Sequence, residues 1–138
     1  MSEFVLHDKL AADTISLGQS RLCEVRLMND SHFPWVLLVP RVSSVREIYE
    51  LSKEQQHRLT EESSLLGEGM MKAFGGDKFN VAALGNMVPQ LHVHHIVRFE
   101  GDDAWPGPVW GKVAPVPYED NELEAIKARL APIIESLK

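Results

Sequence analysis

Two strand-like runs with a very short spacer between them constrain this chain most. "LCEVRLM" (Leu22–Met28) alternates apolar and polar residues, as a half-buried strand does. "WVLLVP" (Trp35–Pro40) is continuously apolar, which suits a strand covered on both faces. Between them lies "NDSHFP" (Asn29–Pro34), whose residues favour turns. A parallel crossover needs a dozen or more residues, so this spacing dictates an antiparallel hairpin. The same arrangement recurs later: "KFNVAAL" (Lys78–Leu84), the turn "GNMVP" (Gly85–Pro89), then "QLHVHHIVRF" (Gln90–Phe99).

Helical patterns follow each hairpin. "SKEQQHRLTEESSLLGEGMMKAFG" (Ser52–Gly75) opens with a capping box, Ser52 and Gln55, and ends at Gly75-Gly76. Leu59, Leu66, Met70 and Phe74 share one face at helical spacing. "YEDNELEAIKARLAPIIESL" (Tyr118–Leu137) predicts a C-terminal helix that Pro132 bends or interrupts. "SSVREIYEL" (Ser43–Leu51) predicts a short helical turn, and "DTISLGQS" (Asp13–Ser20) a strand broken by Gly18. "EGDDAWPGPVWG" (Glu100–Gly111) is too rich in Pro and Gly for regular structure. The sum is an α+β domain on an antiparallel sheet. At 138 residues the chain is one domain, 1–138, with room for one real core.

Composition narrows the function. A net charge of −6 argues against a nucleic-acid polymer as partner, though not against a small anion. Cys23 is the single cysteine, which excludes an intrachain disulfide and a cysteine-based zinc site. The first residues carry no signal-peptide pattern, and no apolar run approaches the ~20 residues of a membrane span. A cytoplasmic location is the expectation.

Half of the six histidines, His92, His94 and His95, fall within four positions of one strand. Strand alternation puts Gln90, His92 and His94 on one face, with His95 among the apolar residues of the other. For the first set, three readings stand: packing with satisfied hydrogen bonds, a metal site, and nucleophilic catalysis. The metal reading lacks a third donor at recognisable spacing. His95 reads as a buried or interface-facing ring.

"QLHVHHIVR" resembles the histidine triad signature, His-φ-His-φ-His-φ-φ, where φ is apolar. Aligning the tail places Gln90 at the first triad position, His92 at the second and His94 at the third. "WVLLVPR" (Trp35–Arg41), "FNVAALGN" (Phe79–Asn86) and "AWPGPVWG" (Ala104–Gly111) are similar to the segments that flank the signature in that family. The resemblance spans most of residues 22–111. It implies a five-stranded antiparallel sheet with a main helix, often as a homodimer. It implies a nucleotide substrate and a covalent nucleotidyl-histidine on His92. His94 would serve the phosphate and the leaving oxygen and, if protonated, offset charge there. No metal in the protein is demanded, though a divalent cation with a polyphosphate is compatible.

The departures are Gln90, a carboxamide where the family has an imidazole, and a short loop from Gly85 to Gln90. A carboxamide can orient His92 but cannot carry a proton charge. Further substrate-binding candidates are Asn29, with Asp30 as its rival, Asn80, Asn86, Arg98 and Trp105. Arg41 and Trp35 read first as surface and packing residues. The leading expectation is hydrolysis of, or transfer from, a nucleoside phosphoanhydride or phosphoramidate. The alternatives are a nucleotide-binding module with weakened turnover and a histidine-based metal-binding protein.

Overall fold

The computed structural model describes residues 3–138. Five strands form one antiparallel sheet: β1 (Thr14–Gln19), β2 (Cys23–Met28), β3 (Trp35–Pro40), β4 (Lys78–Ala82) and β5 (Val93–Arg98). Their order across the sheet is β1-β2-β3-β5-β4. The predicted hairpins β2–β3 and β4–β5 are both present. The sheet is completed where the two meet, as β5 pairs antiparallel with β3. Gly18 does not end β1; it sits at φ +111° at a register shift opposite β2, and the strand runs on to Gln19.

Three helices accompany the sheet: α1 (Asp8–Asp13), α2 (Lys53–Phe74) and α3 (Asp120–Glu135). The Ser52–Gln55 capping box starts α2, and Gly75 ends it in the left-handed conformation. Pro132 lies within α3, so the helix continues past it. Nothing in the sequence reading anticipated α1. Ile48–Glu50 form the short helical turn expected within 43–51, a 3-10 turn capped by Glu47.

Alternation along the strands sorts the sheet into two faces. Val25, Leu27, Val36, Leu38, Val93 and Val97 join Leu59, Leu66 and Met70 of α2 and Ile126, Leu130 and Ile134 of α3 in the larger core. On the other face Trp35, Leu37, Val39 and Ile96 pack with Phe33, Leu10 of α1, and Ala104 and Val109 of the irregular segment. Helices α2 and α3 therefore cover one face, and the N-terminal segment with α1 and the Pro/Gly-rich loop cover the other. His92 and His94 lie on that second side as well, both largely buried.

Two internal charge clusters fix the frame. Glu62 of α2 is fully buried; it accepts from Ser20 Oγ, from Leu22 N–H at 3.0 Å and from Arg58 Nε at 2.6 Å. It joins the β1–β2 turn to α2. Arg98 pairs with Asp102 at 2.8 Å, both side chains nearly inaccessible. Burial alone would raise the Asp102 carboxyl. Bonds from Arg98 and from the Phe99 and Ala104 N–H groups, with the Arg98 charge, outweigh that and hold it at about 2. Among the described residues no buried side-chain polar atom lacks a hydrogen-bond partner.

Candidate active site

β5 starts at Val93, not at Gln90 as alternation suggested; residues 90–92 approach it as irregular chain. The parity of the two rings survives, because Leu91 and Val93 both point into the helix-side core. His92 and His94 thus share the opposite face, with ring centroids 5.0 Å apart at 73°. Both line a cleft of about 330 Å³. Its walls come from Lys9, Leu10 and Asp13 of α1, Met28 and Leu37 of the sheet, the 84–88 loop and Trp110.

Hydrogen-bond partners fix the protons on these rings. His92 Nδ1 lies 2.7 Å from the Gln90 carbonyl oxygen. A carbonyl only accepts, so Nδ1 carries the hydrogen and Nε2 is the lone-pair atom. His94 Nδ1 lies 2.9 Å from Trp35 Nε1. An indole N–H only donates, so the lone pair is on Nδ1 and the neutral ring's hydrogen is on Nε2. The two imidazoles are therefore complementary: one offers an electron pair at Nε2, the other an N–H donor.

Burial, then the neighbouring His92 and His95, push the His94 ring down to about 3. Burial and the Trp35 donor on Nδ1 both favour an uncharged His94 ring, against the expectation of a protonated one. Trp35, read as a packing residue, fixes the tautomer of this ring. Trp35 is also edge-on to Trp110 at 5.7 Å, and Trp110 sits 5.0 Å from the His94 ring.

Other candidates fall elsewhere. The Gln90 carboxamide does not reach the His92 ring. Its Oε1 accepts from His7 N–H and its Nε2 donates to the Val5 carbonyl, each at 2.8 Å. Only the Gln90 main chain contacts the ring, because irregular chain at 90–92 replaces the regular alternation that would have aligned the side chain. Arg98 is not a phosphate ligand: its guanidinium is spent on Asp102 and on Asn80 Oδ1, and it lies near the Phe33 and Trp105 rings. Asn80 and Trp105, both half-buried, thereby gather around Arg98 and do not line the cleft. Asn29 Oδ1 accepts from Tyr118 N–H, and Asp30 from His32 and Val116, so both tie the turn to the segment before α3. Arg41 caps the carbonyls of Ser20, Arg21 and Cys23. Asn86 does line the cleft and is exposed.

His95 faces α2, as its parity implied. It is fully buried, bonded to Ser63 Oγ at 2.7 Å and to the Val36 carbonyl at 3.3 Å, and burial pushes it down to about 4. The sequence reading missed Trp110 and α1 as cleft walls. The "AWPGPVWG" segment held the signal for Trp110, but an irregular loop offers no periodicity to choose between its two indoles. Among the described residues no group of three or more His, Cys, Asp or Glu side chains could hold a metal ion, and no helix is long and apolar enough to cross a membrane.

Residues 9–101 match the family model described as the HIT domain. A histidine triad protein from Marinobacter aquaeolei superposes with a TM-score of 0.98 at 66% identity, covering 99% of this chain and 100% of its own. A second, from Bradyrhizobium japonicum, gives 0.94 at 41% identity, over 96% and 99% of the two chains. A third, from Sinorhizobium meliloti, gives 0.91 at 46% identity, over 97% of each. No functionally curated protein matches the chain.

Proposed function

This chain belongs to the histidine triad family, and we propose that it is a nucleotide hydrolase or nucleotidyl transferase acting at the α-phosphate through a covalent adduct on His92. The observation that carries the reading is the bond from His92 Nδ1–H to the Gln90 carbonyl, on a ring that lines an open cleft. It leaves the Nε2 electron pair free for attack.

In the first step, His92 Nε2 forms a bond to the α-phosphorus. The bond to the leaving group breaks, and its electron pair departs with that group. The ring now bears positive charge, and the Gln90 carbonyl stabilises it through Nδ1–H. The neutral His94 ring donates a hydrogen bond from Nε2 to a phosphoryl or leaving oxygen. It keeps its proton, because the alternative is an imidazolate, so the leaving group takes a proton from water. In the second step, water or another acceptor attacks phosphorus and gives up its proton to solvent, the P–N pair returns to Nε2, and the nucleotide product leaves.

The apolar walls from Leu10, Met28, Leu37 and Val88 suit a heterocyclic base. Lys9, the cationic side chain on the wall, is paired with Asp13 at 3.0 Å. A screen of nucleotides for thermal stabilisation, followed by product analysis of the hits, tests the reading. A true ligand at a hundred times its Kd adds about 2.7 kcal/mol of stability. Product formation that His92→Ala abolishes supports it; full turnover by His92→Ala refutes it. Binding without product in the wild type would favour the weakened binding module, which the carboxamide at the first triad position motivates. Homodimerisation and a cytoplasmic setting belong to the same proposal.

A further inference from the structure

We propose that Gln90 is a positioning residue that couples the N-terminal segment to the nucleophilic histidine, and that this clamp sets substrate affinity. Its kinetic consequence rests on the nucleotide reading above; its mechanical part does not.

The Gln90 carboxamide grips an extended piece of backbone as a neighbouring strand would. It accepts from the N–H of His7 and donates to the carbonyl of Val5, both at 2.8 Å, across more than eighty residues of sequence. His7 is the N-cap of α1, its Nδ1 accepting from Lys9 N–H at 3.0 Å. One turn on, Leu10 is buried against the Trp35 and Leu37 cluster, and Lys9, Leu10 and Asp13 form a wall of the cleft. From the same residue the main-chain carbonyl takes the His92 Nδ1–H. Gln90 thus holds the wall with its side chain and the nucleophile with its backbone.

The residue type matters. A carboxamide carries its donor and its acceptor on one carbon, side by side, which matches an N–H and a C=O on one edge of an extended chain. An imidazole's two nitrogens point away from each other and cannot address both. Helix α1 has six residues, too few to hold itself in place by helix formation alone. Leu10 packing and the Asn29 N–H bond to the Asp13 carbonyl hold its C-terminal end, and this clamp holds its N-terminal end.

Three variants separate the clamp from its surroundings. Gln90→Met removes both bonds at similar volume. His7→Pro removes only the main-chain donor and the side-chain cap, since His7 already has φ −57°, which proline accepts. His7→Ala removes the cap alone and is the control. Amide hydrogen exchange is read over residues 3–13, with KM and kcat for adenosine 5′-phosphoramidate and the Kd for AMP. In Gln90→Met and in His7→Pro, relative to His7→Ala, exchange in α1 accelerates roughly tenfold or more. KM and Kd rise roughly five- to twentyfold in both variants, and in His7→Pro kcat stays within about twofold. Unchanged exchange in both variants overturns the clamp. Faster exchange with unchanged KM and Kd overturns its role in affinity. If the wild type neither binds AMP nor turns over the probe, the nucleotide reading and the affinity role fail together, and the exchange comparison still decides the clamp.

Discussion

The indole N–H of Trp35 donates to Nδ1 of His94 at 2.9 Å, across the β3–β5 pairing. This contact dictates which nitrogen of His94 faces the substrate as a donor, and it opposes protonation of the ring. Trp35→Phe keeps the packing and deletes the bond. Nδ1 then loses its fixed donor and the tautomer preference relaxes, visible in the imidazole nitrogen NMR shifts of His94, while burial keeps the ring uncharged. Loss of one oriented hydrogen bond should lower kcat/KM roughly tenfold. Unchanged nitrogen shifts would show that Trp35 does not control this histidine.

Arg98 and Asp102 form an internal strut, not a phosphate site. Arg98→Ala leaves a buried carboxylate unpaired and should cost about 3–5 kcal/mol in chemical denaturation. The folded fraction should keep the wild-type KM. A large rise in KM without loss of stability would return Arg98 to the substrate.

Stability should fall as the solution is acidified from neutrality. His94 and His95 are held below their ordinary value of 6.5, at about 3 and about 4. Between those limits the unfolded chain binds protons that the folded chain refuses, so stability present above pH 6.5 is lost on acidification. Each ring contributes up to about 1.4 kcal/mol per pH unit. His94→Gln should lower the slope by about one ring's share. A stability that is flat between pH 7 and 5 contradicts the buried, neutral state of both rings.

Two successive displacements at phosphorus each invert configuration, so the net result is retention. Hydrolysis of a substrate with a chiral α-thiophosphate in isotopically labelled water should therefore retain configuration. Inversion would indicate direct attack by water, with His92 in a supporting role only.

Much of this was legible in residue patterns. The short spacers forced both hairpins, and the Ser52–Gln55 box with Gly75 bounded α2. Parity along "LHVHH" separated His92 and His94 from His95. What failed were side chains whose partners lie far off in sequence or in irregular loops. Gln90 was read by the regular strand alternation, yet its partners are Val5 and His7. Arg98 carries a mobile charge in sequence terms, but Asp102, four residues on in a loop, captures it inside the fold. Trp110 and α1 reach the cleft through irregular chain, where no period predicts direction. Asn29 and Asp30 were placed in the correct turn and bind the chain itself.

The central claim is a bond between His92 and phosphorus, and trapping that bond tests it most directly. Wild-type protein mixed with adenosine 5′-phosphoramidate is quenched within milliseconds in alkaline denaturant, which spares the acid-labile P–N linkage, and then mapped by peptide mass spectrometry. The account predicts an adenylyl group on the peptide containing His92, present in the wild type and missing from His92→Ala. Steady turnover of the nucleotide with an unmodified His92 peptide, or an adduct on His94 instead, would contradict it.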